Sequence, residues 1–285
     1  MMRMMLQAGK RTIAALALGV AVLAAGTACA GKKKPDKITR ELLTESKEAL
    51  FEKGKALVER KKFEDGRKYL NHVFETYPNE NLGREALLLV ADSYFRQKST
   101  SSYTEARYRY RDYLNRYPGA PRRDYARYQF ALCYDMEHEK PDRDQTATRE
   151  AIEQYRALIR EYPDSGYSGA ARERIRQLTD LLAEHDFGVG YFYLRKGAAA
   201  SALSRFADIE QRFPDYGARD KLFYYQAVAL GRMGRKDESR RYFDRVIEEF
   251  PQSEFARKAR SKTGAKSPEK PATAAVAVDT KPESQ

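Results

Sequence analysis

Five times along this chain an aromatic residue stands immediately before a proline: Tyr77-Pro78, Tyr117-Pro118, Tyr162-Pro163, Phe213-Pro214 and Phe250-Pro251. The residues upstream of each proline repeat one pattern. Twelve before it comes a small residue (Gly66, Ala106, Ala151, Ala202, Ser239), eight before it a large one (Leu70, Tyr110, Tyr155, Phe206, Phe243), and five before it an apolar one (Val73, Tyr113, Leu158, Ile209, Val246). Steps of four and three place these residues on one face of a helix. A proline ends each such helix, because it has no amide donor and disfavours helical geometry in the residue before it. A fixed period of this kind dictates an elongated stack, in which each unit buries its apolar side against its neighbours.

Each unit reads as two antiparallel helices. Gly54, Gly190 and Ala227 stand twenty-four residues before their prolines, on the first helix of a pair. Two helices approach closely there only if the side chain is no larger than methyl. The proline spacings are 40, 45, 51 and 37. Each equals a base of 34, three further residues between units, and an insertion: three in a loop near Ser99 to Tyr103, eight between His138 and Ala147, fourteen in the fourth unit, none in the fifth. The fourth insertion lengthens a first helix, because Ala170 to Arg195 is helical in pattern with only Gly188 and Gly190 interrupting it.

The ends differ in kind from this body. Residues 1–28 have a basic start (Arg3, Lys10, Arg11), an apolar run from Ile13 to Ala25 and small residues before Cys29, the three regions of an export signal. That run is shorter than the roughly 20 apolar residues of a spanning helix. Gly26-Thr27-Ala28-Cys29 resembles a bacterial lipobox, with Gly26 where an aliphatic residue is usual. Cys29 is then the acylated N-terminus of the mature chain and residues 29–37 a charged tether; the alternative is ordinary cleavage after Ala30, which leaves a soluble protein. Residues 263–285, rich in Pro, Ala, Lys and Thr, have no face to bury and read as a disordered tail.

Composition excludes several functions. Three of the formal +12 charges lie in the signal, leaving about +9 on the mature chain. Export and the interspersion of Arg with Glu argue against nucleic acid as the partner. Cys133, the only other cysteine, lies in an apolar run and reads as a buried, inert thiol. His72, His138 and His185 have no metal-ligand spacing. There is no Gly-rich phosphate loop and no nucleophile motif. A non-enzymatic binding protein is expected, with no cofactor beyond the covalent lipid on Cys29.

The two-helix base of 34 residues resembles the tetratricopeptide repeat. The resemblance implies an all-α, right-handed superhelix of five helix pairs over residues 38–262, divided at about 38–78, 82–118, 121–163, 166–214 and 217–262. More closely, the chain resembles the BamD (YfiO/ComL) family of outer-membrane assembly lipoproteins. The resemblance rests on the lipobox, the five repeats, the stretch Asp142-Arg143-Asp144-Gln145-Thr146-Ala147-Thr148-Arg149-Glu150-Ala151, and Tyr162-Pro163-Asp164-Ser165-Gly166-Tyr167. It continues through Arg174, Leu178, Tyr191-Phe192-Tyr193 and Gly197-Ala198-Ala199 to Arg205 and Phe213-Pro214-Asp215.

This resemblance implies a lipid-anchored protein on the periplasmic side of the outer membrane, since Ala30 is not the aspartate that retains lipoproteins in the inner membrane. It implies C-terminal repeats that dock a BamA-like, POTRA-containing barrel subunit, with Arg205 matching a family arginine that pairs with an acidic POTRA residue. Accessory lipoproteins are implied as further partners. The N-terminal repeats are implied to receive unfolded porin clients. Helix geometry places Phe51, Lys55, Leu88, Asp92, Phe95, Tyr128 and Leu132 on the inward face of the first helices, where Leu88 and Leu132 equally suit the core between helices. Phe51, Lys55 and Phe95 are the candidate groove residues, two rings beside a cation suited to an aromatic residue and a carboxylate at a peptide's end. A different periplasmic tetratricopeptide adaptor, for instance in cell-wall synthesis, is the competing reading.

Overall fold

The computed structural model describes residues 37–265, and every regular element among them is an α-helix. In chain order these are α1 (Lys37–Thr44), α2 (Lys47–Glu59), α3 (Phe63–Thr76), α4 (Asn81–Phe95), α5 (Thr100–Arg116), α6 (Arg123–Asp135), α7 (Thr146–Glu161), α8 (Ser168–Arg195), α9 (Ala199–Arg212), α10 (Arg219–Arg232), α11 (Lys236–Glu249) and α12 (Glu254–Thr263). From α2 onward each helix packs on the next in sequence. The other extensive contacts join α1 with α3, α2 with α4, α8 with α10, and α10 with α12. Contacts confined to near neighbours define a solenoid, here of five tetratricopeptide-like pairs from α2/α3 to α10/α11, preceded by α1 and closed by α12.

The aromatic-proline signature has a uniform cause. At Tyr77, Tyr117, Tyr162, Phe213 and Phe250 the backbone leaves the helical region with φ between −137° and −122° and ψ between 52° and 69°. Each of these residues still donates its N–H to the carbonyl of the apolar residue four before it. The helix therefore closes its last hydrogen bond and then turns, as a following proline requires. The Tyr117 hydroxyl donates to the Pro78 carbonyl at 2.6 Å, tying one inter-unit turn to the previous one.

Turns inside the pairs share a second rule. A residue in the left-handed region stands two before the second helix at Lys61, Lys98, Gly197 and Gly234, with φ of 61°, 56°, 83° and 80°. The third pair has a longer connection, residues 136–145, where the eight-residue insertion was expected. Near Ser99 the structure differs from the sequence-based expectation. The three extra residues form no loop; they lengthen α5 to 17 residues against 14 in α3, α9 and α11. Ser99 and Ser102 form a reciprocal capping box, which starts the helix early.

Small residues sit where the helices cross. A Cβ on Gly54 would lie 2.7 Å from Leu70 Cγ, and one on Gly190 would lie 2.6 Å from Phe206 Cε1. In both pairs the obstacle is the large residue eight before the proline. The core divides into three clusters: residues of α2 to α6, residues of α6 to α8, and residues of α8 to α12. The 28-residue α8 joins the last two, with Ala171 and Leu178 in one, Ala183, Phe187 and Leu194 in the other, and Leu182 against both. The fourteen additional residues are thus one continuous helix. The signal, Cys29, residues 30–36 and the tail from residue 266 lie outside the described residues.

Candidate functional site

Arg205 lies on α9, whose Ala202, Phe206 and Ile209 point into the core while Ser201, Ser204 and Asp208 are exposed. Its side chain is exposed and makes no hydrogen bond or ion pair with any described residue. Its Cβ lies 3.3 Å from the place a Cβ on Gly190 would occupy, so the close α8/α9 crossing seats it beside α8. Several other arginines are committed to the fold. Arg174 holds Asp135 through Nε at 2.7 Å and Nη2 at 2.5 Å, Arg67 stacks over Tyr94 and donates to Ser93 and Gln97, and Arg107 pairs with Glu137. Arg205 is a cation with no internal role, as are the exposed Arg160, Arg172, Arg195 and Arg241; what sets it apart is its seat at the close α8/α9 crossing.

The N-terminal candidates occupy α2 and α4, the first helices of adjacent, touching pairs. Lys55 is half-buried and unpaired among the described residues. Phe95 is half-buried with its ring 5.4 Å from that of Tyr103. Phe51 is a correction: at 7% exposure it belongs to the first core cluster, against which Ile38 and Leu42 of α1 also pack, so it offers a peptide almost no surface. Leu88 is fully buried. Tyr128 is half-buried against the rings of Tyr155 and Tyr167.

Asp92 does not line an open groove. It is buried and accepts from the hydroxyls of Tyr110 at 2.6 Å and Tyr125 at 2.8 Å. Burial pushes its carboxyl above the usual range, and the two tyrosine hydroxyls oppose that rise. The next unit repeats the device: Asp135, fully buried, accepts from Tyr155 at 2.8 Å and from Arg174. These carboxylates explain why the large residue is tyrosine in the second and third units and Leu or Phe elsewhere, since a buried hydroxyl needs a partner. The signal in the sequence was a lone Asp closing an apolar run, as in Leu87 to Asp92.

The stretch around Asp142 to Thr148 shapes a loop. Gln145 is buried, its Nε2 donates to the carbonyls of Lys140 at 2.9 Å and Arg143 at 3.1 Å, and its Oε1 accepts from Thr148 at 2.8 Å. His185 Nδ1 of α8 donates to the Pro141 carbonyl at 2.5 Å. The loop is thereby pinned against the long helix, and between them lies a cavity of about 600 Å³. Burial pushes the Cys133 thiol up to about 12, which leaves it unreactive. Among the described residues no group of His, Cys, Asp and Glu could hold a metal ion, and no helix is long and apolar enough to cross a membrane.

Residues 44–242 match the family model YfiO, described as outer membrane lipoprotein. The chain is 28% identical over 234 residues to the outer membrane protein assembly factor BamD of Caulobacter vibrioides, covering 82% of this chain and 74% of that protein. It is 25% identical over 227 residues to the BamD of Rickettsia prowazekii, covering 80% of this chain and 87% of that protein. Among solved structures, the TPR2AB-domain:pHSP90 complex of yeast Sti1 aligns with a TM-score of 0.41 at 14% identity, over 76% of this chain and 84% of the other.

Proposed function

Because the chain belongs to the YfiO family of outer membrane lipoproteins, we propose that it is a lipid-anchored, non-catalytic component of the outer-membrane β-barrel assembly machine. Its C-terminal repeats hold the POTRA-bearing barrel subunit and its N-terminal repeats receive unfolded clients. Acylated Cys29 fixes the chain to the periplasmic face of the outer membrane, and the lysines that follow form the tether. The chemistry of the scaffold is recognition: rigid stacked helices present side chains that are fixed in place before a partner arrives, which lowers the entropic cost of binding.

The observation that carries this reading is Arg205, an exposed guanidinium without an internal partner on a helix seated by the Gly190 crossing. A guanidinium of this kind is suited to a carboxylate, which it meets with two parallel hydrogen bonds. At the other end, half-buried Lys55 and Phe95 supply a cation and a ring on adjacent first helices for the end of an extended client.

The test is affinity purification of the full chain from solubilised outer membranes. A barrel protein with POTRA domains is expected to co-purify, and Arg205→Glu is expected to reduce its recovery while Lys55→Glu leaves it unchanged. Recovery of peptidoglycan enzymes in its place would assign the chain to cell-wall synthesis.

A further inference from the structure

Two departures from the regular repeat meet at one place. The long α6/α7 connection and the extra turns of α8 together line this open cavity of about 600 Å³, within the size range of ligand sites. Pro141, Gly188, Val189, Phe192 and Tyr193 give it an apolar lining. Phe192 is 56% exposed and lines the cavity, so its ring presents apolar surface there. Gly188 has no structural reason to be glycine: nothing stands within 4 Å of the place its Cβ would occupy, in contrast to Gly190 two residues on. A glycine inside a helix costs about 1 kcal/mol relative to alanine. What its absent side chain leaves is open space on the cavity wall.

Two lysines and one carboxylate at or beside the cavity mouth are uncompensated, a small positive excess. The Lys140 ammonium has no partner among the described residues, and Lys196, just outside the lining, lies 5.7 Å from the ring of Phe192 with no carboxylate partner. Of the acids, Glu184 is taken up by Lys221 and Tyr216, which leaves Asp142 alone against the two lysines. With His185 Nδ1 committed to Pro141, the ring nitrogen left to accept a hydrogen bond is Nε2.

We propose that this cavity is a second docking site, independent of Arg205 and of the N-terminal groove, for an extended acidic segment of a partner protein. One aromatic or large aliphatic side chain of that segment sits against Gly188, Val189 and Phe192, and its flanking carboxylates meet Lys140 and Lys196. The loop that forms one wall is already held by Gln145 and His185, so binding requires little ordering of this chain.

The experiment measures fluorescence anisotropy of a fluorescein-labelled peptide, Gly-Asp-Asp-Phe-Asp-Leu-Asp-Gly, on the full chain purified in detergent. Saturable binding is expected, weakening as salt rises. Gly188→Leu projects a side chain from a Cβ position that meets nothing within 4 Å and replaces a poor helix former with a good one, so the variant keeps its helical content and a thermal midpoint at or above the parent's while affinity falls at least about tenfold. Lys140→Glu is expected to weaken binding, Lys55→Glu to leave it unchanged, and a peptide with Lys in place of Asp not to bind. Absence of saturable binding overturns the proposal, as does equal affinity in a folded Gly188→Leu variant. A rise in peptide affinity on deletion of residues 266–285 would make the chain's own tail the occupant, and self-association abolished by Gly188→Leu would make it a second copy; either result overturns the assignment to a partner segment.

Discussion

Replacing Gly190 by alanine, and separately Gly188, compares a helix crossing with an open helix face two residues away on α8. At Gly188 the new methyl meets nothing within 4 Å, so the change reduces to helix propensity and stabilises by about 1 kcal/mol. At Gly190 the same gain is opposed by overpacking: the methyl would lie 2.6 Å from Cε1 and 2.9 Å from Cδ1 of Phe206. That ring is fully buried and stacked on Phe187 at 5.3 Å, so it has no free volume to move into. Forcing a methyl into a packed core costs about 1–3 kcal/mol, which leaves Gly190→Ala neutral to about 2 kcal/mol destabilised. Both sites share one helix, so unfolded-state effects and local cooperativity largely cancel in the difference, and the two variants separate by about 1–3 kcal/mol. For a chain of this size each kcal/mol moves the thermal midpoint by about 2–4 °C. Circular dichroism melts of the two variants read this directly. A Gly190→Ala midpoint equal to or above that of Gly188→Ala would refute the account of the crossings.

Three further outcomes are expected. Arg174→Met removes the bidentate partner of fully buried Asp135 and leaves that carboxylate to Tyr155 and His138, a loss of about 3 kcal/mol in urea denaturation, since an uncompensated buried charge is strongly unfavourable. The raised Asp92 carboxyl binds its proton more tightly in the folded chain than in the unfolded one, so its contribution favours the fold at low pH and is lost as pH rises through the raised value. Asp92→Asn removes that slope, and the variant should gain on the parent as pH rises out of the ordinary carboxylate range; a pH-independent difference would contradict the assignment. Cys29→Ala is expected to move the chain from the membrane to the soluble fraction on cell fractionation, and continued membrane residence would remove the lipid anchor.

The repeat, the helix pairing and the crossing glycines were legible because each is a local rule with a fixed offset. Gly54 meets Leu70 and Gly190 meets Phe206 at the same sixteen-residue spacing. What a helical period does not contain is which neighbour covers a given face. Phe51 read as a groove residue because its face is inward, yet it is buried in the core on which α1 packs, and the break between α1 and α2 is marked only by Ser46, whose side chain caps Ala49. Asp92 read the same way, and its burial depends on hydroxyls 18 and 33 residues later in the chain. The three-residue insertion near Ser99 was expected as a loop, and the capping box that Ser99 and Ser102 form starts a helix there instead. The cavity was the least accessible feature, since it exists only where two insertions from different units come together.

Depletion of this chain in living cells, followed by the amount of folded β-barrel protein in the outer membrane, addresses the assembly role most directly. Folded barrels, recognised by their heat-modifiable electrophoretic mobility, are expected to fall as the chain is lost, with unfolded precursors accumulating in the periplasm. Undiminished folded barrels, with defects confined to the cell wall, would contradict it.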